Sequence, residues 1–410
     1  MKKIAFITPS YYPSVLTGSG IVVIKLAEAL VKTGYDVSVI TSNALTNRYW
    51  YDPLFGKKIK KKFEIYNGVK IYRLSCAQFY SSICFLFVRI LGRFIPKSIF
   101  NKLVIEATGP YLIGLDALVR SNKYDSIHCS PSPLAINMQT ARMVKQMKKK
   151  PHYILTPFFH ADVGDFANPE LKNIFSFADV VHTISHAEKN ILQKKFGLER
   201  KKIRVIPLFL DTAGMHTNEQ LQKDVMLFKK KHGLEEKKIV LFAGIKGYAK
   251  GATDTLLAVD SLYKTDVRYI LITIGTDTKE WKKALATVDK KSILDLGYKT
   301  GKEKEIIFAA SDIFCMPSKS ESFGLVYLEA WHKKKPVIAA GTSAVKEFLG
   351  ENGVYVDFGQ KKQIINAILK LHKSKNTQKK LGESGYNELM KNYIFSKVFT
   401  QYRKLFTTYS

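Results

Sequence analysis

The sequence predicts two α/β domains, each built on a mainly parallel sheet with helices on both faces. Three observations indicate this fold class. Short apolar runs alternate with segments of helical period, the alternation starts afresh after Pro207, and 410 residues suffice for two cores. Hydrophobic residues make up 46% and aromatic residues 12% of the chain, which excludes disorder over most of its length. We therefore expect a domain boundary near Pro207-Leu208.

The first half begins with an apolar run at residues 3–8, which Pro9 ends. Residues 21–32 follow with apolar side chains at helical spacing, and Gly34 is typical of the residue after a helix. An alternating pattern around Asn67-Gly68 predicts a β-hairpin within residues 63–74. The other strands predicted in this half are 36–41, 125–129, 152–156, 179–183 and 203–206.

The second half repeats the alternation, with predicted strands at 238–243, 268–274, 292–296, 312–316, 336–340 and 353–356. A glycine-containing loop, residues 244–251, follows the first of these strands, and a helix is predicted from about Ala252. Residues 361–409 have helical period almost throughout, with a break near Asn392-Tyr393. Ligands of doubly wound sheets bind at the carboxyl ends of the strands, so we expect the site in the cleft between the domains.

The net charge of the chain indicates which kinds of molecule it could bind. Lys plus Arg number 65 and Asp plus Glu number 35, a net charge of +30. This excess favours nucleic acid, an anionic membrane or a phosphorylated substrate, although a lysine-rich proteome would give the same composition. No RNA-binding, zinc-finger or helix-turn-helix signature accompanies the lysines, so nucleic acid is the weaker interpretation. The absence of a signal-peptide pattern and of any C-x-x-C pair predicts a reducing cytoplasmic location.

The most specific motif is PSKSESFGLVYLEA at residues 317–330, between a predicted strand and a helix predicted to open near Phe323. Backbone N–H groups at a helix N-terminus are free to bind an anion. Here those groups belong to Ser322, Phe323, Gly324 and Leu325. Glu321 and Glu329 flank this position, and their carboxylates can accept paired hydrogen bonds from sugar and ribose hydroxyls. The alternative is that Glu321 only caps the helix and Glu329 is a solvated surface residue.

This motif resembles the E-x7-E signature of the retaining GT-B glycosyltransferases, a large family that includes sucrose synthases and bacterial phosphatidylinositol mannosyltransferases. Their pattern P-S-x-x-E-x-F-G-x-x-x-x-E-A is matched at full spacing. Residues 244–251, 206–211 and 179–185 resemble further family segments, and Thr17-Gly18 stands where the family usually has Gly-Gly. The resemblance covers most of the chain. It implies transfer of a sugar from a nucleotide diphosphate sugar to an acceptor hydroxyl, with retention at the anomeric carbon.

The resemblance also implies roles for individual residues. Glu321 would bind the sugar hydroxyls and Glu329 the ribose. Lys250 would reach the two phosphates and stabilise the charge that develops on departure. Gly18 would let backbone N–H groups approach the diphosphate. His160, in the run TPFFHAD after a predicted strand, would lie beside the donor sugar and the reacting oxygen.

The sequence departs from the family at the donor loop and the interdomain element. Ile245 stands where the family has an arginine that holds the diphosphate. Lys246 is next to it and is a candidate substitute, although a lysine lacks the bidentate fork of arginine. Leu208 and Phe209 replace Asn and Gly. No D-x-D carboxylate pair is evident, so we expect no metal and no cofactor, and the leaving phosphate would itself help to deprotonate the acceptor.

The resemblance divides the chain into an acceptor domain, 1–207, a nucleotide-sugar domain, 208–392, and a final helix, 393–410, that crosses back. Within the acceptor domain, residues 79–99 interleave aromatic and aliphatic side chains with basic ones, as expected of a surface helix on anionic lipid. The alternative is a helix buried under a loop. The most apolar window, 83–91, is too short to span a bilayer. We expect a cytoplasmic enzyme, peripheral on the inner face of the membrane, acting on a lipid-linked or cell-envelope glycan acceptor.

Two other classes of function are compatible with parts of the sequence. A nucleotide-sugar epimerase or a phosphorylase would share the two-domain fold, but a phosphorylase needs a pyridoxal phosphate lysine that we do not locate. A basic, non-enzymatic nucleic-acid-binding protein would explain the net charge of +30. It would leave the block from Glu321 to Glu329 unexplained.

Overall fold

The computed structural model of the protein describes residues 1–14, 18–52, 54–159, 167–215 and 218–407. The chain forms two compact units, one of residues 1–207 with 399–410 and one of residues 208–398. Each unit contains a mainly parallel sheet with helices between its strands, which confirms the predicted α/β class.

The sheet of the first unit contains eight strands in the described part of the chain. They are β1 (Lys3–Ile7), β2 (Asp36–Ser42), β3 (Phe63–Tyr66), β4 (Val69–Leu74), β5 (Ser126–Cys129), β6 (His152–Leu155), β7 (Val180–Thr183) and β8 (Ile203–Val205). Their order is β3-β4-β2-β1-β5-β6-β7-β8, and β3 alone among them is antiparallel to its neighbour. The predicted hairpin is confirmed, with positive φ at Asn67 and Gly68, as its two-residue turn requires.

The helices of the first unit connect these strands. They are α1 (Gly18–Lys32), α2 (Gln78–Leu91), α3 (Lys97–Glu106), α4 (Leu115–Asn122), α5 (Ala135–Gln146), α6 (Glu170–Phe177) and α7 (His186–Phe196). Strands β1, β5 and β7 are buried along almost their whole length, as continuous apolar runs between helices predict. No helix among the described residues is both long and apolar enough to cross a membrane.

Two histidines form part of this core. The hydroxyl oxygen of Thr156 lies 2.7 Å from His128 Nε2 and 2.8 Å from His182 Nδ1. His182 Nε2 donates to the Ile206 carbonyl, so its Nδ1 accepts from Thr156 and the Thr156 oxygen accepts from His128. Burial lowers the pKa of His128 to about 3 and that of His182 to about 4, so both are neutral near pH 7.

The second unit contains β9 (Lys238–Ala243), β10 (Tyr269–Ile274), β11 (Ile293–Asp295), β12 (Ile313–Met316), β13 (Val337–Ala340) and β14 (Gly353–Val356). All are parallel, in the order β11-β10-β9-β12-β13-β14. The direction of winding reverses between β9 and β12, and ligands of doubly wound sheets bind beyond the carboxyl ends of the strands at such a reversal.

The helices of the second unit are α8 (Asn218–His232), α9 (Ala252–Tyr263), α10 (Lys279–Leu285), α11 (Gly301–Ala310), α12 (Leu325–His332), α13 (Ser343–Leu349), α14 (Lys361–Lys373) and α15 (Lys375–Asn392). A last helix, α16 (Phe395–Leu405), follows, and its residues from Phe399 belong to the first unit. The predicted break near Asn392-Tyr393 is confirmed. A second break occurs at Ser374, whose side chain caps α15 by accepting the Thr377 N–H at 3.1 Å.

Candidate functional site

Two loops meet at the reversal point of the second sheet. The first, residues 244–251, follows β9, and the second, residues 317–324, follows the adjacent strand β12. The Lys319 N–H donates to the Ala249 carbonyl at 2.8 Å, and the Ser318 hydroxyl donates to the same oxygen at 3.3 Å. Motifs far apart in the sequence are therefore joined by direct hydrogen bonds.

A glycine allows the two loops to approach each other closely. Gly251 has φ +72°, and a Cβ atom at this position would lie 2.4 Å from the Pro317 carbonyl oxygen. Such a separation is far shorter than ordinary van der Waals contact, so a larger residue would push the loops apart. Packing therefore explains why a glycine follows Lys250 at the end of the first loop.

The loops bring Lys250 and Glu321 together. Lys250 Nζ lies 2.8 Å from Glu321 Oε2, and the exposed fractions of the two side chains are 30% and 10%. A lysine ammonium can exchange a carboxylate for a phosphate, because it donates in any direction from a point charge. The pair therefore combines a phosphate-binding cation with a carboxylate acceptor for hydroxyl groups.

Helix α12 begins at Leu325, two residues later than the sequence predicts. The reason is that Phe323 is buried, with its ring centroid 4.4 Å from that of Phe348, while Gly324 adopts φ +79°. The backbone N–H groups of residues 322–326 donate to no other group in the described part of the chain. Five consecutive free donors beside Lys250 form a place where an anion can bind.

Glu329 lies one turn into α12 and also pairs with a lysine. Its Oε1 atom accepts from Lys304 Nζ at 2.6 Å, while Oε2 is buried without a hydrogen-bond partner. Both side chains line a cavity of about 110 Å³, together with Met215, Phe308, His332 and Lys333. Glu329 is therefore a largely buried residue beside a cavity, in contrast to the solvated surface residue of the alternative interpretation. Sequence reasoning missed Lys304, because no motif distinguishes it from the other lysines.

The structure places Lys246 in the interior of the second unit. Its side chain has no exposed surface, and Nζ contacts Asp295 and lies 2.7 Å from Asp277 Oδ1. An ammonium group with two carboxylate partners and no exposed face is not positioned to bind a diphosphate. The prediction that Lys246 contacts the donor therefore disagrees with the side-chain position, and the physical reason is its burial between carboxylates.

The remaining predicted residues belong to the first unit. Gly18 is the first residue of α1 and is exposed. His160 lies outside the described residues. The segment just before it is held by Glu188, a buried carboxylate that accepts the N–H groups of Phe159 and Ile184, each at 2.7 Å. The Ser-x-x-Glu spacing of a capping box, Ser185 to Glu188, is a signal that could have identified this residue.

Comparisons with known proteins identify the family of the chain. Residues 16–213 match the family model for Glycosyltransferase Family 4, and residues 225–388 match the model for Glycosyl transferases group 1. The chain is 25% identical to N-acetyl-alpha-D-glucosaminyl L-malate synthase of Bacillus anthracis over 65% of this chain and 70% of that protein. It is 22% identical to the putative teichuronic acid biosynthesis glycosyltransferase TuaC of Bacillus subtilis, over 85% and 84% of the two chains.

A solved structure shows the same fold. HepE of Anabaena, in complex with UDP and glucose, matches with a TM-score of 0.70 over the whole of both chains, at 16% identity. The two family models together span both units of this protein except short segments. The chain therefore belongs to the GT-B glycosyltransferases that join a Family 4 domain to a group 1 domain.

Proposed function

We propose that the protein transfers a sugar from a nucleotide diphosphate sugar to an acceptor hydroxyl, with retention at the anomeric carbon and without a metal ion. The observation that carries this proposal is the Lys250–Glu321 pair beside the free N–H groups of residues 322–326. The E-x7-E spacing, typical of retaining family members, supports retention. The solved complex of HepE with UDP and glucose supports a nucleotide sugar as the donor class.

In the proposed donor complex, oxygens of the diphosphate accept from the N–H groups of residues 322–326 and from the Lys250 ammonium. The N–H groups are already in place before the reaction, so they stabilise the charge that develops on the leaving diphosphate without reorganisation, and Lys250 joins them when the donor binds. Movement of Lys250 toward phosphate frees the Glu321 carboxylate for the sugar hydroxyls. Glu329 would accept from the ribose, and the leaving phosphate would take the proton of the acceptor hydroxyl.

Two substitutions test this site. We expect Glu321→Gln and Lys250→Ala each to lower kcat by about a hundredfold or more, the order lost when one charge-stabilising group is removed. The assay is release of nucleoside diphosphate from UDP-glucose, UDP-N-acetylglucosamine, UDP-galactose and GDP-mannose, followed with the most active donor. A matched control is the surface pair Lys299 and Glu303, 3.0 Å apart in the same unit. Wild-type rates in both site variants would contradict the proposal.

We propose a lipid-linked or cell-envelope glycan as the acceptor, reached at an anionic membrane surface. Apolar side chains along α2 and beside it are exposed in the first unit, and we refer to them as the α2 surface. They are Leu54, Phe55, Phe79, Ile83, Phe85, Leu86, Phe87, Ile90 and Phe94. Phe79 and Phe94 are each 83% exposed. Exposed apolar groups gathered in this way mark an interaction site, because a monomer in water rarely exposes so many together.

A hydrogen bond links the two parts of the α2 surface. The Ser82 hydroxyl of α2 donates to the Tyr51 carbonyl at 3.2 Å, which holds the loop bearing Leu54 and Phe55 against the helix. Basic side chains of the same unit lie near this region in sequence, namely Lys57, Lys58, Lys60, Lys61, Lys62, Arg89, Arg93 and Lys97. Aromatic groups combined with positive charge fit the interface of an anionic bilayer. The relationship to TuaC, named for teichuronic acid biosynthesis, supports a cell-envelope acceptor.

Co-sedimentation with liposomes containing phosphatidylglycerol tests membrane association. Each basic residue near the surface contributes about 1 kcal/mol, so Arg89→Gln with Arg93→Gln should weaken binding mainly at low salt. Phe85→Ser with Phe87→Ser should weaken it at every salt concentration. The control pair is Met226→Ser with Leu227→Ser, because these side chains are exposed apolar groups of the second unit. Wild-type protein that stays in the supernatant at low salt would show that the acceptor is not membrane-bound.

A further inference from the structure

A buried charged cluster lies beneath the donor loop, which is the segment Gly244 to Gly251. Lys246 Nζ contacts Asp295 and lies 2.7 Å from Asp277 Oδ1. The Trp281 indole N–H donates to Asp295 Oδ2 at 3.0 Å, and Lys246 Nζ lies 5.4 Å from the centroid of the Trp281 ring. The cluster therefore joins the loop after β9 to the segment after β10 and to the end of β11.

Backbone contacts reinforce the same connection. The Lys246 N–H donates to the Thr276 carbonyl at 2.8 Å, and the Thr278 hydroxyl donates to the Lys246 carbonyl at 2.7 Å. A Cβ atom at Gly275 would lie 1.8 Å from the Gly244 carbonyl oxygen, so the two backbones touch here as well. The amino-terminal half of the donor loop is thus held on the neighbouring strand ends.

The one positive charge of this cluster has two carboxylate partners. An ammonium group loses its hydration when it is buried, and the loss is offset only by close carboxylates and hydrogen bonds. Burial alone would raise the pKa of Asp295, but the hydrogen bonds from Lys246 and Trp281 hold it below its usual value. Asp295 is therefore an ionised partner of Lys246 at neutral pH.

We propose that Lys246 is a positioning residue that sets the place of Lys250. The donor loop is held at its start by this cluster, through Lys246. It is held at its end by the hydrogen bonds to the Ala249 carbonyl and by the contact of Gly251 with Pro317, and Lys250 lies between these anchors. Lys246 has no exposed surface, so Lys250 is the one cation of the loop that has one. The inference rests on the proposed function, in which Lys250 stabilises the leaving diphosphate.

A double-mutant cycle tests the proposal. Lys246→Leu releases the anchor, and displacement of a charged group by about 1 Å lowers kcat by up to about a hundredfold. We therefore expect kcat to fall by about ten- to a hundredfold when Lys246→Leu is made in the wild-type protein. The rate is measured as release of nucleoside diphosphate from the same nucleotide sugars. In Lys250→Ala background, where the positioned group is absent, the same substitution should change kcat by less than about threefold. Lys246→Arg, which keeps the charge, should recover part of the rate.

The control is Lys238→Leu, because Lys238 pairs with Asp266 at 2.9 Å at the opposite end of β9. It should leave kcat unchanged. Lys246→Leu alone leaves the Asp295 carboxylate without its lysine. If the variant does not fold for that reason, the double variant Lys246→Leu with Asp295→Asn, which removes this carboxylate charge, takes the place of Lys246→Leu in the cycle. An unchanged kcat, or an equal loss in both backgrounds, would overturn the positioning role. A wild-type rate in Lys250→Ala alone would instead overturn the proposed function.

Discussion

Replacement of Gly251 by alanine should separate the two loops of the site. The added Cβ atom would lie 2.4 Å from the Pro317 carbonyl oxygen, so the loops must move apart by about 1 Å to restore ordinary contact. A misplacement of about 1 Å can cost about a hundredfold in rate. Because Lys250 precedes the substituted residue, we expect kcat of Gly251→Ala to fall by about this factor.

Backbone strain adds to this effect and must be separated from it. Gly251 has φ +72°, and alanine in the left-handed region costs about 1–2 kcal/mol of stability. Gly233 is the matched control, because its φ is +61° and no atom lies within 4 Å of an added Cβ. Gly233→Ala should lose similar stability in urea unfolding but keep wild-type kcat. A folded Gly251→Ala protein with wild-type kcat would refute the role of the close contact.

Two further predictions concern metal ions and pH. Activity should be unchanged by EDTA, since Lys250 and the N–H groups of residues 322–326 are proposed to carry the phosphate charge, and loss in EDTA restored by Mg²⁺ or Mn²⁺ would contradict this. The free energy of unfolding should fall below pH 6.5, because burial lowers the pKa of His128 and His182 to about 3 and about 4, so the unfolded chain binds more protons. The full stability is present above pH 6.5, and the loss by pH 5 is about 4 kcal/mol for the two histidines together. Urea unfolding of the wild-type protein at pH 7 and pH 5 measures this loss, and equal stability at both pH values would argue against a buried neutral pair.

The fold was largely predictable because its strands are apolar runs between clear turns and helices. All predicted strands occur, and their ends agree with the structure to within one residue. The segment 79–99 was less predictable. It forms two helices, α2 and α3, with a turn between them, and the exposure of α2 rather than its burial depends on what else packs on this side of the unit. Apolar content alone cannot show that, because a buried and an exposed helix can share one composition.

The site residues were predictable where a single motif contains them, and less so where their partners are distant in sequence. The E-x7-E spacing identified Glu321 and Glu329, but their lysine partners lie 71 and 25 residues away in sequence. Lys246 shows the opposite error. Its position beside Ile245 favoured a donor contact. The carboxylates that pair with it come from elsewhere in the unit, because Asp277 follows β10 and Asp295 ends β11. The spacing of residues within one motif cannot show which residues from other segments will contact them in the fold.

The configuration of the first product tests the central claim most directly. The protein is incubated with the most active of UDP-glucose, UDP-N-acetylglucosamine, UDP-galactose and GDP-mannose, all α-linked donors, with water as the acceptor. Proton NMR then records the anomer of the released sugar before mutarotation. Transfer with retention at the Lys250–Glu321 site predicts that the α anomer appears first and that Glu321→Gln slows its appearance by about a hundredfold. The β anomer appearing first, or equal rates in wild type and Glu321→Gln, would contradict the account.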